Sequence, residues 1–168
     1  MTTTVPSPYQ EVTPAELTVV GQYRGTGRQV QMRSDAAAAL TDLLVHAGAM
    51  GVRIVPISGF RTIEYQARLF QKAIVKHGSE EAAARWVARP GFSEHHTGLA
   101  VDLGAEEYPA CDVATPFEET PAFRWLNENA ARFGLELSYL RDNARGINYE
   151  PWHWRFMGTP AAQRIFEQ

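Results

Sequence analysis

The stretch SEHHTGLAVDLG at residues 93–104 places ionisable residues directly before and inside a segment with the pattern of a buried strand. Every second residue from 99 to 103 is Leu or Val, and this alternation is typical of a β-strand. Asp102 falls inside that strand, and His95 lies on the loop that enters it. Because Gly98 allows the backbone to turn sharply, the two side chains can meet. The segment therefore predicts a strand that carries a functional carboxylate.

The sequence on either side of this strand alternates between helical and extended patterns. Thr62 and Ser79 have the residue types that cap the N-termini of helices, and Gly78 is a typical C-terminal stop. We predict helices at residues 34–51, 63–78, 79–89 and 121–134, and strands at residues 52–58, 99–103, 135–140 and 152–157. Because helices come early and late around a few short strands, the class is α+β. We expect a single domain with a small antiparallel sheet and helices packed around it.

The composition is that of a compact globular domain without an excess of either charge. The chain has 168 residues, of which 45% are hydrophobic and 21% are charged, and its formal net charge is −3. A domain of this length buries roughly 70% of the surface of its unfolded chain, so it needs no disulfide. Cys111 is the only cysteine, which excludes thiolate zinc clusters and iron–sulfur sites. Since there is no basic excess, we expect no nucleic-acid partner.

The first 13 residues are rich in Thr, Ser and Pro. They predict a flexible N-terminal lead, with the folded domain at residues 14–168. We expect no membrane span, because no stretch approaches the roughly 20 apolar residues that a transmembrane helix needs. The opening residues also lack the basic and apolar regions of an export signal. We therefore expect the protein in the cell envelope or periplasm if a native signal has been removed, and in the cytoplasm otherwise.

Three polar clusters stand where the pattern otherwise requires apolar residues. They are SGFRTIEYQ at residues 58–66, SEHHTGLAVD at residues 93–102 and EPWHW at residues 150–154. A site assembled from distant segments is typical of a catalytic centre, in which loops and strand ends supply groups to a rigid scaffold. We therefore expect the three clusters to meet at one end of the sheet.

The second and third clusters together supply a set of ligands suited to catalytic zinc. Two imidazoles and a carboxylate leave the fourth position of the metal open for water, and His95, Asp102 and His153 form such a set. From spacing alone, His96 is an equal alternative to His95. Glu150 lies three residues before His153 and is then the natural general base.

The first cluster contains Arg61 and Gln66, and each also has an ordinary explanation. Taken alone, Arg61 fits a surface ion pair with Glu64, and Gln66 fits an exposed helix position. Directly after a Ser-Gly-aromatic strand exit, however, the planar guanidinium of Arg61 is well placed to meet a carbonyl oxygen or a carboxylate. The remaining histidines, His46 and His77, lie near helix ends, and we expect them to be structural.

Three motifs follow from these clusters. Residues 93–102 match S-x-H-x-x-G-x-A-x-D, residues 150–153 match E-x-x-H, and residues 58–66 read SGFRT-x-x-x-Q. Together they resemble the signatures of the VanY-type peptidases, which are zinc D-alanyl-D-alanine carboxypeptidases of the peptidase M15 family. The resemblance runs from about residue 34 to residue 156, and three motifs in one order are far more specific than any one of them.

The resemblance implies a role for each matching residue. His95, Asp102 and His153 would bind zinc at the sheet, and Glu150 would be the catalytic base, which leaves His96 as a variable position beside a ligand. By the same resemblance, Arg61 would polarise the scissile carbonyl and stabilise the oxyanion. Ser93 and Gln66 would hold the terminal residue of the substrate.

The resemblance also implies a substrate, namely a peptidoglycan stem peptide or muropeptide. We expect first a D,D-carboxypeptidase that removes the terminal D-alanine. An L,D-carboxypeptidase acting on tetrapeptide stems shares every metal residue, and an endolysin-like endopeptidase is a further possibility. A non-catalytic wall-binding scaffold is disfavoured, because the ligands, the base and the arginine are all present. We expect a monomer.

Overall fold

The structure is a computed structural model that describes residues 8–167. The helices are α1 (Ser34–Ala49), α2 (Ile63–His77), α3 (Glu80–Ala84), α4 (Pro121–Asn129) and α5 (Pro160–Phe166). The strands are β1 (Leu17–Gln22), β2 (Gln29–Arg33), β3 (Ile54–Ser58), β4 (Ala100–Ala105), β5 (Leu135–Leu137) and β6 (His153–Phe156). Strands β1 and β2 pair as a hairpin, and the other four form an antiparallel sheet in the order β3-β4-β6-β5. The predicted α+β class with a small antiparallel sheet is confirmed.

The hydrophobic core lies around the central strand of the four-stranded sheet. All six residues of β4 are buried, and the core joins them to apolar side chains of β2, α1, α4 and β6. Helices α2 and α3 contribute a separate small cluster made of Phe70, Ala73 and Ala83. Because β4 is held from both sides, a polar side chain on it is fixed within the densest part of the molecule.

The predicted helix boundaries agree best where a capping side chain marks them. The Thr62 hydroxyl accepts a hydrogen bond from the backbone N–H of Tyr65 at 3.0 Å, and Ser79 does the same for Ala82 at 3.1 Å. Gly78 ends α2 in the left-handed conformation with φ 88°. The predicted helix over residues 121–134 is divided, because α4 ends at Asn129 and a 3₁₀ turn completes it.

The structure also contains elements that the sequence patterns did not predict. These are the β1–β2 hairpin and helix α5, which flank the predicted elements at the two ends of the chain. Residues 1–7 of the predicted N-terminal lead lie outside the described residues. Within the rest of the lead, Tyr9 is only 8% exposed, and the backbone N–H of Val12 donates to the carbonyl of His96 at 2.9 Å. Contacts with the domain therefore begin ahead of residue 14.

None of the helices within residues 8–167 combines the length and the apolar character that crossing a membrane requires.

Gly59 lies at a tight contact between the hairpin and the four-stranded sheet. It follows β3, and a Cβ at this position would overlap the backbone carbonyl of Gln31 on β2. The Gln31 oxygen accepts a hydrogen bond from the N–H of Phe60 at 2.7 Å, and the carbonyl of Gly59 contacts Nδ1 of His95 at 2.7 Å. The absence of a side chain at Gly59 therefore lets β2 support the turn that holds His95.

We expect Gly59→Ala to lower the free energy of unfolding by about 1–3 kcal/mol, because the added methyl group must displace backbone. The measurement is urea denaturation of the metal-free protein. Gly48→Ala is the matched control, since a Cβ there meets no atom within 4 Å and the position lies within α1. The control should be neutral or gain up to about 1 kcal/mol. Equal midpoints for the two variants would contradict the close contact at Gly59.

Candidate active site

The register of the sheet brings the three polar clusters together. Asp102 on β4 lies opposite His153 on β6 and opposite Ser58 at the end of β3. His95 reaches the same place from a 3₁₀ turn, Glu94–Thr97, which Gly98 ends in the left-handed conformation with φ 69°. The predicted meeting of the clusters at the sheet is therefore what the backbone produces.

His95, Asp102 and His153 form a candidate metal site. Oδ1 of Asp102 lies 3.3 Å from Nε2 of His95 and 3.3 Å from Nδ1 of His153. The potential ligand atoms of the three residues all lie within 4.8 Å of one another, and all three residues are buried. Oδ1 is also a buried oxygen that forms no hydrogen bond of ordinary geometry with any of residues 8–167. A buried anionic oxygen that faces two imidazole nitrogens is a donor set that fits a divalent cation such as zinc.

In both histidines, the ring nitrogen that faces away from the candidate metal site, here called the outer nitrogen, has a hydrogen-bond partner. Nδ1 of His95 bonds the carbonyl oxygen of Gly59 at 2.7 Å, and Nε2 of His153 bonds Oε2 of Glu94 at 2.9 Å. Each oxygen is an acceptor, so the outer nitrogen carries the proton and the inner nitrogen can present a lone pair. This arrangement orients Nε2 of His95 and Nδ1 of His153 as the metal-facing atoms.

The two histidines differ in charge when no metal is bound. Burial lowers the pKa of His95 to about 4, so this ring is neutral at pH 7. Burial alone would also lower the pKa of His153, but the carboxylates of Asp102 and Glu94 outweigh it and raise that pKa to about 10. His153 must therefore release a proton from its inner nitrogen in order to bind a metal, which makes the metal affinity pH-dependent.

Glu94 is the important site residue that the sequence analysis missed. Its side chain is fully buried, and besides His153 it contacts two arginines: Oε1 lies 2.7 Å from Arg145 and 2.9 Å from Arg155. Burial would raise the pKa of Glu94, but His153 and Arg155 hold it well below its usual range. The only signal in the sequence was a glutamate between Ser93 and a ligand histidine. A buried carboxylate behind a metal-binding imidazole fixes its orientation and basicity.

Glu150 lies at the opening of the candidate site. Its Oε2 is 3.6 Å from Nδ1 of His153, and its backbone N–H donates to the carbonyl of Tyr139 at 3.1 Å. Burial raises the pKa of Glu150 to about 7, with Asp102 adding to the effect and His153 opposing it. A carboxyl group with a pKa near neutrality can accept and return a proton at physiological pH.

Arg61 is not the surface residue that its sequence position also allowed. Its Nη2 donates to Oδ2 of Asp102 at 2.7 Å and its Nε donates to the hydroxyl of Ser58 at 3.0 Å. Glu64, the alternative partner, pairs with Arg68 instead. The guanidinium therefore lies beside the candidate metal site, held by the carboxylate oxygen that faces away from the histidines.

Gln66 and Ser93 border the same site, and His96 does not. Gln66 is 1% exposed, its Oε1 lies 3.4 Å from Nη1 of Arg61, and its Nε2 donates to the carbonyl of Ala88 at 2.9 Å. The Ser93 hydroxyl accepts from the backbone N–H of His95 at 3.3 Å. His96 bonds the carbonyl of Arg61 through Nδ1 and accepts from a backbone N–H through Nε2. Both ring nitrogens of His96 are thus occupied by the backbone, so His95 supplies the metal-facing imidazole.

The candidate site opens into a cleft of about 390 Å³. Glu150, Arg61, Gln66 and Ser93 line it together with the three candidate ligands. Tyr139, Ile147 and Trp152 also line it, and the ring of Tyr139 packs against the imidazole of His153 with centroids 4.7 Å apart. A buried cation site with a carboxyl group and an arginine at the mouth of a peptide-sized cleft is suited to hydrolysis of an amide.

The family model of the VanY D-alanyl-D-alanine carboxypeptidases matches residues 29–159. The chain belongs to the VanY family. This confirms the predicted family. A D-alanyl-D-alanine carboxypeptidase of Enterococcus faecalis (strain ATCC 700802 / V583) is 34% identical over 169 residues, which cover 95% of this chain and 60% of that protein. The chain thus spans 60% of the length of this relative.

Two solved structures show the same fold. The LdcB LD-carboxypeptidase, whose structure concerns peptidoglycan recognition, has a TM-score of 0.78 and 29% identity, and the match covers 95% of this chain and 75% of that chain. A mutant of the vancomycin resistance D,D-pentapeptidase VanY in complex with Zn(II) has a TM-score of 0.68 and 32% identity. That match covers 96% of this chain and 94% of the other. The relatives thus include both D,D- and L,D-specific enzymes.

We expect Glu94→Gln to weaken zinc binding by about 10-fold or more near pH 9, because His153 loses the carboxylate that orients it. The difference in zinc affinity between the wild-type protein and the variant should become smaller as the pH falls. The substitution also lowers the proton affinity of His153, so protons compete less with the metal in the variant. Competition with a chromophoric chelator at several pH values measures both effects. Glu136→Gln is the matched control, because Glu136 also pairs with Arg155 but not with His153. Equal affinities of Glu94→Gln and the control would refute this role.

The raised pKa of Glu150 predicts a pH-dependent stability of the metal-free protein. With a folded pKa of about 7 against an ordinary value of 4.5, the folded state keeps the Glu150 proton after the unfolded chain has lost its own. The free energy of unfolding should therefore fall between about pH 5 and pH 7, by about 3 kcal/mol from this group. Glu150→Gln should remove that part of the fall in urea denaturation with a chelator present. An unchanged pH profile in the variant would contradict the raised pKa.

Proposed function

We propose that this chain is a zinc carboxypeptidase that removes the terminal D-alanine from peptidoglycan stem peptides, as a D,D-carboxypeptidase. One observation carries the proposal: His95, Asp102 and His153 form a buried three-ligand cluster, with Glu150 3.6 Å from one of the ligands at the mouth of a cleft. Two imidazoles and a carboxylate would hold zinc and leave a position open for water. The zinc complex of a VanY relative supports the choice of metal.

Zinc bound at this site would supply a Lewis acid that makes water nucleophilic at neutral pH. Glu150 would accept the proton of the attacking water at its carboxylate and return it to the leaving amine, which matches a pKa near 7. Because Glu150 lies beside His153 without being part of the ligand cluster, the same carboxyl group can do both within one turnover.

Arg61 would donate hydrogen bonds to the scissile carbonyl oxygen as negative charge develops on it. The salt bridge to Asp102 and the hydrogen bond to Ser58 hold the guanidinium in place before the substrate arrives. Such preorganised charge is typically worth a few kcal/mol in the transition state. Gln66 and Ser93, which border the same part of the cleft, would bind the terminal residue of the substrate.

A second candidate function is an L,D-carboxypeptidase that acts on tetrapeptide stems. It is favoured by the TM-score of 0.78 to the LdcB LD-carboxypeptidase, against 0.68 to the D,D-pentapeptidase VanY. The candidate ligands, the base and the arginine serve either reaction. The two differ in the stereochemistry of the residue before the scissile bond, so the walls of the cleft determine the outcome.

The test is product analysis by mass spectrometry after the zinc-loaded protein is incubated with a stem pentapeptide and, separately, a stem tetrapeptide. Loss of one alanine from the pentapeptide alone supports the D,D reaction, and loss from the tetrapeptide alone supports the L,D reaction. If neither peptide loses an alanine in a metal-dependent way, the carboxypeptidase proposal is wrong, and an endopeptidase or a non-catalytic scaffold replaces it.

The role of Glu150 is tested in the same assay. We expect Glu150→Gln to retain zinc and to lose activity by about 10²–10⁴-fold, because only proton transfer is removed. His153→Ala should lose both zinc and activity, since a ligand is missing. The zinc content after dialysis separates the two effects. Near-normal hydrolysis by a folded Glu150→Gln protein would show that another group is the base.

A further inference from the structure

The cleft continues well beyond the candidate metal site. From Gln66 it follows one face of α2, whose lining residues recur three or four positions apart. They are Leu69, Lys72, Ala73, Lys76 and His77. His77 lies eleven positions after Gln66, which corresponds to about 16 Å along a helix. The segment that follows α3 also lines this part of the cleft, through Trp86 and Val87. We call this extension the α2 arm of the cleft.

The α2 arm differs in charge from the metal end. Lys72 and Lys76 are the only two lysines of the chain, in which every other basic residue apart from histidine is arginine. Both lysines line the arm and are exposed. The carboxylates among the lining residues, Asp102 and Glu150, are both at the metal end. Within residues 8–167 neither lysine forms an ion pair.

An aromatic surface lies beside these two charges. Trp86 is 51% exposed, whereas the other three tryptophans of the chain are buried. Its ring stacks on the imidazole of His77 with a centroid distance of 5.5 Å and an interplanar angle of 9°. The stacked indole gives the arm an aromatic wall, and the arm also carries two ammonium groups that form no ion pair within residues 8–167.

We propose that Lys72 and Lys76 form a carboxylate-binding subsite in the α2 arm, walled by Trp86, for a part of the substrate peptide away from the scissile bond. The inference rests on the proposed function, because it assumes that a peptide lies in the cleft. Unpaired ammonium groups at one end of a cleft attract a carboxylate, and the aromatic wall excludes water from one side of the contact.

The geometry sets the distance of that carboxylate from the reacting bond. Gln66 marks the proposed position of the terminal residue, and Lys72 and Lys76 follow it by about 9 and 15 Å along the helix. An extended peptide advances about 3.3–3.6 Å per residue. The subsite therefore reads a carboxylate about three or four residues from the scissile bond.

Because the chain has only two lysines, binding can be observed directly. Reductive methylation with ¹³C-formaldehyde labels Lys72, Lys76 and the N-terminal amine and retains their positive charges. The zinc-loaded protein is then titrated with peptides in which a phosphinate replaces the scissile amide, so that they bind without turnover. One peptide carries Glu three or four residues from the phosphinate, and its partner carries Gln at the same position.

We expect the Glu peptide to shift both dimethyl-lysine signals and the Gln peptide to leave them nearly unchanged at saturation. The Glu lies on the N-terminal side of the phosphinate, because a carboxypeptidase substrate has only one residue after the scissile bond. A shift with the Glu peptide but not with the Gln peptide supports the subsite. Equal shifts for the two peptides overturn it.

Kinetics provide a second test. Lys72→Gln and Lys76→Gln should each reduce the preference in kcat/KM for a cleavable Glu peptide over its Gln partner by about two- to five-fold at low salt, which is the range of an exposed ion pair. The change should appear in KM rather than in kcat. Arg164→Gln is the matched control, because it removes one exposed positive charge on α5, outside the cleft.

The two proposals fail in different ways. If wild-type protein cleaves the peptides but the lysine variants keep the full preference, the subsite is wrong and the proposed function stands. If no peptide is cleaved, the lysine signals still decide whether a carboxylate-bearing peptide occupies the arm.

Discussion

The burial of the Asp102 carboxylate on the central strand is the constraint on which the rest of the site depends. A buried charge is costly unless it is paired, and here one oxygen is neutralised by Arg61 while the other faces two imidazoles. Without metal, the proton on His153 supplies the second positive charge. A divalent cation would replace that proton, so a positive charge faces Asp102 in either state, and metal can enter without refolding of the surrounding strands.

Strand pairing fixes the positions of the residues that surround Asp102. Asp102 has register partners on both sides, Ser58 on β3 and His153 on β6, and a slip of one residue on either side would turn a site residue away. The second layer is equally fixed, because the carbonyl of Gly59 and the carboxylate of Glu94 set the orientation of the two imidazoles. Metal affinity in this protein is therefore a property of strand register and turn geometry as much as of the ligands themselves.

The sequence predicts the site where the signals are local. Residue types at short spacing identify His95 with Asp102, Glu150 with His153, and the capped start of α2. The choice of His95 over His96 came from the family resemblance. Glu94 could not be assigned in this way, because its partners Arg145, His153 and Arg155 lie 51, 59 and 61 residues away. Strand β1 was missed for a related reason: its burial does not alternate, and it pairs only with β2 outside the main sheet. Interactions that form only in the folded chain leave little periodicity to detect.

The contact between the two ends of the described chain has a topological consequence. The ring of Tyr9 packs edge-on against Phe166 of α5 with centroids 5.9 Å apart, and neither residue lines the cleft. Ends that lie close together are typical of domains that tolerate circular permutation. A connector between them, with a new opening at the exposed Gly25–Gly27 turn of the hairpin, would leave every strand of the metal site continuous. The starting point of the chain could thus change without a change in the geometry of the candidate metal site.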